Sequence, residues 1–197
     1  MRTKSDERRQ AILDVATQIF KDIGYERASM AAIAARVGGS KATLYSYFPS
    51  KEELYATAMT DAVCEHGEAV CEMLDTQNPD VAAVLKCFGV AYIGLLVHSD
   101  VLALVRAGVA AGAQGKLGAA LYAMGPRRGY EEMTAYFAGL SPDCGLHLPD
   151  PAQAARHFKG LLESGLVEPS LYGAPMEADV ETAVHAAVDV FMRAYAA

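Results

Sequence analysis

A cluster of polar and aromatic side chains between residues 40 and 51 has the composition that contacts with a nucleic acid require. These side chains are cationic, hydroxyl-bearing, small or aromatic: Ser40, Lys41, Ala42, Thr43, Tyr45, Ser46, Tyr47 and Lys51. Lysine and tyrosine reach phosphates, and small hydrogen-bonding side chains at the start of a helix meet base edges in a major groove about 12 Å wide. The pattern therefore predicts an exposed helix that enters a duplex.

Two short helices joined by a glycine turn must hold these side chains in place. Ser29 is a good N-cap, and an apolar face follows it at helical spacing: Met30, Ile33, Ala34 and Val37. Gly38 and Gly39 allow a sharp reversal of the chain. The sequence therefore predicts a first helix of about two turns, followed at once by a second.

The second helix is predicted to begin at Ser40 and to end before Pro49. Leu44 and Phe48 lie one turn apart and can face a core, which leaves the other side chains pointing outward. Ser50, with Glu53 three residues later, has the spacing of a capping box and predicts a third helix start. We expect the helix from Ser50 to link this unit to the rest of the chain.

The segment AAIAARVGGSKATLYSYFPSKEEL resembles the DNA-binding region of the TetR family of bacterial transcriptional regulators. The sequence departs from that pattern twice: an aliphatic residue is usual where Gly39 stands, and a glycine is common where Ala42 stands. The resemblance implies a helix-turn-helix that contacts operator DNA through Ser29, Ser40, Lys41, Ala42, Thr43, Tyr45, Ser46, Tyr47 and Lys51. Alternatively, Tyr45 and Tyr47 pack between helices, as aromatic residues at helical spacing often do.

Charge is distributed unevenly along the 197 residues. Residues 1–55 carry nine Lys or Arg and seven Asp or Glu, a net charge of +2, whereas the remainder carries eight basic and 17 acidic residues, a net charge of −9. Only the first segment can approach DNA without broad repulsion, and its affinity must come from placed contacts. With no apolar run of about 20 residues, we expect a cytoplasmic protein that does not enter a membrane.

The predicted fold class is all-α, with a three-helix DNA-binding domain at 1–50 and a helical domain at 51–197 for effector binding and dimerisation. The first helix is predicted at about 5–23, and the small core comprises Ile12, Ile19, Phe20, Ile33, Val37, Leu44 and Phe48. The second domain should contain five or six helices, with starts at Asn78–Pro79 and Asp150–Pro151, a break at Gly125–Pro126 and a loop at about 168–176.

The family resemblance implies a homodimer, because two recognition helices must meet half-sites about 34 Å apart. The apolar stripes of the last two long helices are the candidate interface, as an intermolecular four-helix bundle: Phe158, Leu162, Leu166, Val184, Val188, Phe191 and Tyr195. Alternatively, these stripes pack only within one subunit. Residues 101–173 also resemble the effector domain of the AefR-like branch of the family.

An effector pocket is predicted among apolar residues with a few tyrosine hydroxyls, a lining that suits a hydrophobic or aromatic small molecule. The candidates are Met59, Val63, Phe88, Tyr92, Leu95, Leu104, Arg106, Val109, Leu121, Tyr122, Met124 and Tyr136. Arg106 interrupts an apolar run. Its guanidinium is expected to do one of three things: reach solvent, pair with a carboxylate such as Glu131 or Glu132, or bind an anionic effector. Effector binding is expected to tilt the linking helix and release the operator, as a repressor requires.

Two other functions remain open at this point. A helical metal sensor or enzyme would use Cys64, Glu68 and Cys71, which share one face of a helix, whereas His66 points away from them. The four cysteines form no CxxC pair and are expected to be free thiols. No nucleophile motif or phosphate loop is present, so we expect no catalysis, no metal and no cofactor. A DNA-binding dimer without an effector is the remaining alternative.

Overall fold

The computed structural model describes residues 4–112 and 116–197, and helices dominate both segments. The helices of the described residues are α1 (Lys4–Arg27), α2 (Met30–Val37), α3 (Lys41–Tyr47), α4 (Lys51–Cys71), α5 (Val81–Leu96), α6 (Ser99–Gly112), α7 (Leu117–Met124), α8 (Pro126–Gly139), α9 (Pro151–Glu163), α10 (Val167–Tyr172) and α11 (Val180–Ala194). In the same residues the β structure is a single antiparallel bridge between Leu146 and Ala196. The all-α prediction is confirmed.

The first three helices form around the predicted core. Six of its seven predicted members are buried, and Val37 is half-buried against them. The Ser29 hydroxyl accepts the Ala32 N–H at 3.2 Å and caps α2, which ends at Gly38 in the left-handed region (φ 73°). The start and the reversal of α2 are therefore set by local chemistry, as the sequence indicates.

The core of these three helices continues into the second domain through α4. Leu54 and Ala56 of α4 are fully buried in it, and Leu104 of α6 with Leu117 and Leu121 of α7 belong to the same cluster. Helices α6 and α7 therefore pack directly against the helix that follows α3. The predicted boundary at residue 50 divides residues that share this core.

A second core lies between α5, α8, α9 and α11. Four phenylalanines meet at its centre, with ring centroids of successive pairs 5.0–6.3 Å apart: Phe88, Phe137, Phe158 and Phe191. Gly89 allows α5 to approach closely, because a Cβ there would lie 2.6 Å from Val184 Cγ1 and 2.9 Å from Leu162 Cδ2. Helices α5, α8, α9 and α11 thus pack together around this aromatic centre, whereas α6 and α7 pack in the core shared with α4.

Three boundaries distinguish what the sequence predicts well from what it misses. The break at Gly125–Pro126 is confirmed, since α7 ends and α8 begins there. The start at Asn78–Pro79 is wrong, because the Asp80 carboxylate accepts the Ala83 N–H at 2.9 Å and α5 begins at Val81. The predicted loop at about 168–176 is wrong in its first part, which is α10.

In the part of the chain that the structure describes, no single helix is long and apolar enough to cross a membrane. Two successive helical segments, Val81–Leu96 and Ser99–Ala110, together have the length and apolar composition of a membrane span, but a 66° bend separates them.

Candidate nucleic-acid interface

The outward side of α3 presents most of the predicted contact residues together. Leu44 and Phe48 are 2% and 1% exposed and anchor the helix, while the predicted contact residues from Ser40 to Ser46 are exposed. Tyr45 retains 41% of its surface. This side of α3 is therefore free to meet another molecule.

Hydroxyl groups fix the geometry at the start of α3. The Ser40 hydroxyl accepts the Thr43 N–H at 3.0 Å and lies 2.8 Å from the Thr43 hydroxyl. The Ser46 hydroxyl donates to the Thr43 carbonyl at 2.7 Å. Because hydroxyls both donate and accept, Ser40 and Thr43 keep hydrogen-bonding capacity for a base edge or a phosphate.

Cations lie beside aromatic rings at both ends of this surface. Lys41 Nζ is 5.8 Å from the centre of the Tyr45 ring, and Lys51 Nζ is 4.2 Å from that of Tyr25. The Tyr25 hydroxyl donates to Glu52 Oε1 at 2.9 Å. The pKa of Glu52 is lowered chiefly by its own backbone N–H, with further help from Tyr25, Ser50 and Lys51. Each ammonium group is thus held against an aromatic ring, Lys41 on α3 itself and Lys51 at the start of α4.

Two of the predicted DNA contacts have a more structural setting than the others. Tyr47 is half-buried against the core shared by α1, α2 and α4, so the packing alternative describes it better than it describes Tyr45. Ser29 is exposed, but its hydroxyl already caps α2. The face of α3 itself therefore consists of Lys41, Ala42, Thr43, Tyr45 and Ser46.

Arg8 belongs to this region, although it is not among the predicted contact residues. Its Nη2 donates to the Gly38 carbonyl at 3.3 Å, thirty residues along the chain. The same Nη2 lies 2.7 Å from the position that a Cβ on Gly39 would take. Because Gly39 has no side chain, the Arg8 guanidinium can occupy the space beside it.

The predicted dimer residues are placed differently from the expectation. All but Tyr195 are 0–1% exposed and belong to the core of their own subunit: Phe158, Leu162, Leu166, Val184, Val188 and Phe191. They cannot be contacts across an interface, and the alternative of packing within one subunit holds for them. Tyr195 is half-buried, and its hydroxyl lies 2.7 Å from His157 Nδ1.

The opposite sides of α9 and α11 remain open. Gly160 is exposed on α9, and a Cβ there would meet nothing within 4 Å. Ala186 is exposed on α11, and Val190 keeps 42% of its surface exposed. These small and apolar residues define what we call the outer face of α9 and α11.

The twelve predicted pocket residues do not surround one cavity. Those in the core of α5, α8, α9 and α11 are Phe88, Tyr92 and Tyr136, and those in the core shared with α4 are Met59, Val63, Leu104, Leu121 and Met124. Leu95 is half-buried, whereas Val109 and Tyr122 are 75% and 54% exposed and line no core. A groove of about 340 Å³ opens elsewhere, at the α8–α9 loop, and none of the twelve lines it.

Arg106 binds the end of α10 rather than any of its expected partners. Its Nη2 donates to the Ser170 carbonyl at 2.7 Å and its Nε donates to the Leu171 carbonyl at 2.8 Å. Both carbonyls lie in the last turn of α10, where a cation is favoured by the helix dipole. The expected carboxylate partners, Glu131 and Glu132, are not the ones it binds.

A polar cluster lies between α5 and α9. The Tyr92 hydroxyl donates to Glu163 Oε1 at 2.8 Å, and Lys159 Nζ lies 2.6 Å from the same carboxylate. Burial, followed by the Glu163 charge, raises the pKa of Tyr92 well above its usual range. The hydroxyl therefore stays protonated and acts as a donor.

The metal alternative gains no support within the described residues. No three possible ligands among His, Cys, Asp and Glu come together there. Glu68 instead pairs with Arg128 at 3.0 Å, and burial raises the pKa of Cys71 and so disfavours its thiolate. The side chain of Cys64 lies outside the described part of the chain.

Comparison with known proteins identifies the family. Residues 12–58 match the profile of the bacterial regulatory proteins of the tetR family, and residues 83–197 match that of the C-terminal domain of AefR-like transcriptional repressors. The HTH-type transcriptional activator FasR of Mycolicibacterium smegmatis is 47% identical over 58 residues, which are 29% of this chain and 26% of FasR.

Two solved structures extend the similarity to nearly the whole chain. A TetR-family protein from Mesorhizobium loti is 24% identical and shares the fold over 100% of both chains, with a TM-score of 0.80. The flavonoid-responsive regulator FrrA is 27% identical over 96% of this chain and 97% of its own, with a TM-score of 0.76. With the exposed face of α3 and both profiles in agreement, the chain belongs to the TetR family of DNA-binding transcriptional regulators.

Proposed function

We propose that this protein is a repressor that binds a palindromic operator as a homodimer and leaves it when a small hydrophobic or aromatic molecule binds. The observation that carries the proposal is the exposed face of α3, capped by Ser40 and anchored by Leu44 and Phe48. The match to AefR-like repressors over residues 83–197 supports repression rather than activation. Acting on bacterial DNA, the protein would work in the cytoplasm and without catalysis.

The contacts with DNA are assigned to the face of α3 and to Lys51. The start of α3 carries the hydroxyls that meet base edges, and Lys41 and Lys51 supply the charge for phosphates. Ser29 and Tyr47 have structural partners, and we assign them weaker roles at the rim. Because residues 1–55 carry a net charge of only +2, each lysine accounts for a large share of the electrostatic attraction.

Loss of one lysine tests this assignment against a matched control. A duplex enriched from a random-sequence pool by the wild-type protein serves as the probe. Lys41→Ala should weaken binding to it by about tenfold, since a single base or phosphate contact is worth about 1–3 kcal/mol. Lys116→Ala removes an equal charge just before α7 and should change the affinity less than twofold. Equal losses for both variants would refute the assignment.

The outer face of α9 and α11 is the surface that we propose for dimerisation. Gly160 and Ala186 allow two pairs of helices to approach closely, and Val190 supplies exposed apolar area. The core residues named in the sequence analysis then support this surface from within each subunit. A four-helix arrangement of this kind would hold two α3 helices at a fixed separation.

An exposed valine on each of two helices gives a controlled test of this surface. Val190→Asp should convert the dimer to a monomer in sedimentation velocity at micromolar concentration, because an unpaired carboxylate would be buried. Val109→Asp alters a more exposed valine on α6 and should leave the dimer intact. A monomeric wild type, or a dimer lost only in Val109→Asp, would contradict the proposed surface.

The effector is proposed to enter between α4, α6 and α7. Five of the predicted pocket residues meet there, and the methionines among them can adapt to an irregular ligand: Met59, Val63, Leu104, Leu121 and Met124. A ligand in this place would move α4 relative to α6 and α7. The population would shift to an arrangement in which the two α3 helices no longer fit successive grooves.

Flavonoids are the first compounds to test, because FrrA is a flavonoid-responsive regulator. Release of the enriched duplex by such a compound should be lost in Leu121→Trp, whose larger side chain would occupy the place proposed for the compound, while duplex binding without the compound persists. An effector-free dimer, the alternative function, predicts instead that no compound of a broad aromatic and hydrophobic panel changes duplex affinity.

A further inference from the structure

The turn between α2 and α3 has no side chain of its own at its second residue. Gly38 closes α2 with a left-handed backbone, and the Gly39 N–H donates to the Ala34 carbonyl at 3.0 Å. Gly39 itself has no left-handed φ, so its backbone would accept a side chain. The space beside Gly39 is therefore open for another part of the chain to fill.

The guanidinium of Arg8 occupies this space. Its Nη2 lies 2.7 Å from the position of a Gly39 Cβ, a distance at which one of the two groups would have to move. The same nitrogen donates to the Gly38 carbonyl at 3.3 Å. Because carbonyl groups at the end of a helix carry partial negative charge, the end of α2 favours a cation there. Arg8 thus links α1 to the turn.

The position of this link matters because α3 is short. It has seven residues, and Leu44 and Phe48 anchor its middle and its end. Its first turn, which carries Lys41 and Thr43, depends on how the preceding turn is held. Arg8 lines a narrow cleft together with Ile12, Val37, Thr43 and Leu44, so it reaches the start of α3 from the side of α1.

We propose that Arg8 is a positioning residue for DNA recognition, which takes the place of a side chain at Gly39 and fixes the start of α3 against α1. This inference rests on the proposed DNA-binding function. It gives Arg8 a role different from that of a surface cation that contacts phosphate. The two roles predict different behaviour when position 39 receives a side chain of its own.

Arg8→Ala is therefore compared in two backgrounds, the wild type and the Gly39→Val variant. In the wild-type background, loss of the arginine leaves the turn unsupported, and binding to the enriched duplex should weaken about three- to tenfold, the range of one hydrogen bond. In the Gly39→Val background, the introduced side chain displaces the flexible end of Arg8 and fills the space itself. Removal of Arg8 should then cost less than twofold.

Two further readouts separate positioning from phosphate contact and from unfolding. Binding to a mixed-sequence duplex of the same length and the slope of log K against log salt should stay unchanged in Arg8→Ala, because no counterion-releasing contact is lost. Circular dichroism should show the same helix content. Equal losses in both backgrounds, a salt slope smaller by about one, or no loss in the wild-type background would overturn the inference. A wild type that cannot distinguish the two duplexes would instead refute the proposed function.

Discussion

A single methyl group at Gly89 tests how α5, α9 and α11 pack. A Cβ at this position would lie 2.6 Å from Val184 Cγ1 and 2.9 Å from Leu162 Cδ2, whereas ordinary contacts begin at about 3.4 Å. Both neighbours are 0–1% exposed and cannot move toward solvent. Gly89→Ala therefore overpacks the core, which typically costs about 1–3 kcal/mol.

Gly94 provides the control on the same helix. A Cβ there would meet nothing within 4 Å, so Gly94→Ala should gain about 0.5–1 kcal/mol from helix propensity alone. Gly89→Ala gains the same free energy from helix propensity. The difference in the free energy of unfolding between the two variants therefore measures the cost of overpacking at Gly89 alone. We expect a difference of about 1–3 kcal/mol in the free energy of unfolding, or about 2–4 °C in Tm per kcal/mol for a chain of this size.

Urea unfolding followed by circular dichroism at two protein concentrations gives the comparison. The difference between the variants should be independent of concentration, because Leu162 and Val184 pack inside one subunit. Equal stabilities would show that these side chains do not lie against Gly89. A difference that grows on dilution would place them at a subunit interface and refute the assignment of the core.

Three other perturbations follow from single contacts. Glu52→Gln should flatten the loss of stability that occurs as pH falls below 4.5, because the pKa of Glu52 in the fold lies below that ordinary value and its contribution disappears as pH falls through the lower value. Parallel urea midpoints for the two proteins across that pH range would contradict this. Arg106→Ala should lower the free energy of unfolding by about 1 kcal/mol and leave ligand response intact, since the side chain binds α10 carbonyls rather than an effector. Tyr92→Phe should cost about 1–3 kcal/mol in the same assay, because Glu163 loses a buried donor, and an unchanged midpoint would argue against that bond.

Local chemistry explains why the DNA-binding unit could be predicted in detail. Ser29, Ser40 and Ser50 each cap a helix by accepting the N–H of the residue three positions ahead, within a single turn of chain. The contacts that decide these boundaries are therefore encoded side by side in the sequence. The same holds at Asp150, whose carboxylate caps α9.

The error at α5 shows where local signals compete. Asn78 and Asp80 can both act as caps, and Pro79 suits a first helical position. In the structure the Asn78 side chain accepts the Asp80 N–H at 2.9 Å to form a turn, which leaves Asp80 to cap the helix. Two cap candidates of similar propensity, two residues apart, cannot be ranked by sequence pattern alone.

Contacts between distant residues account for the remaining errors. An amphipathic stripe such as that of Phe158 and Leu162 has the same pattern whether it faces its own subunit or a second copy. Arg106 reaches carbonyls 64 and 65 residues further along the chain. Periodicity carries no information on either partner, so the packing of these stripes and the partners of Arg106 could be read only from the fold.

Protection of guanine N7 groups against methylation tests the central claim most directly, because N7 lies in the major groove that α3 is proposed to enter. With the enriched duplex, the wild-type protein should protect two sets of guanines related by two-fold symmetry and about 10 base pairs apart, or a multiple of that spacing. At a protein concentration close to the wild-type Kd, the protection should fall strongly in Lys41→Ala, as an affinity about tenfold weaker requires, and persist in Lys116→Ala. Protection of a single unpaired set, or none in the major groove while the protein remains bound, would contradict the account.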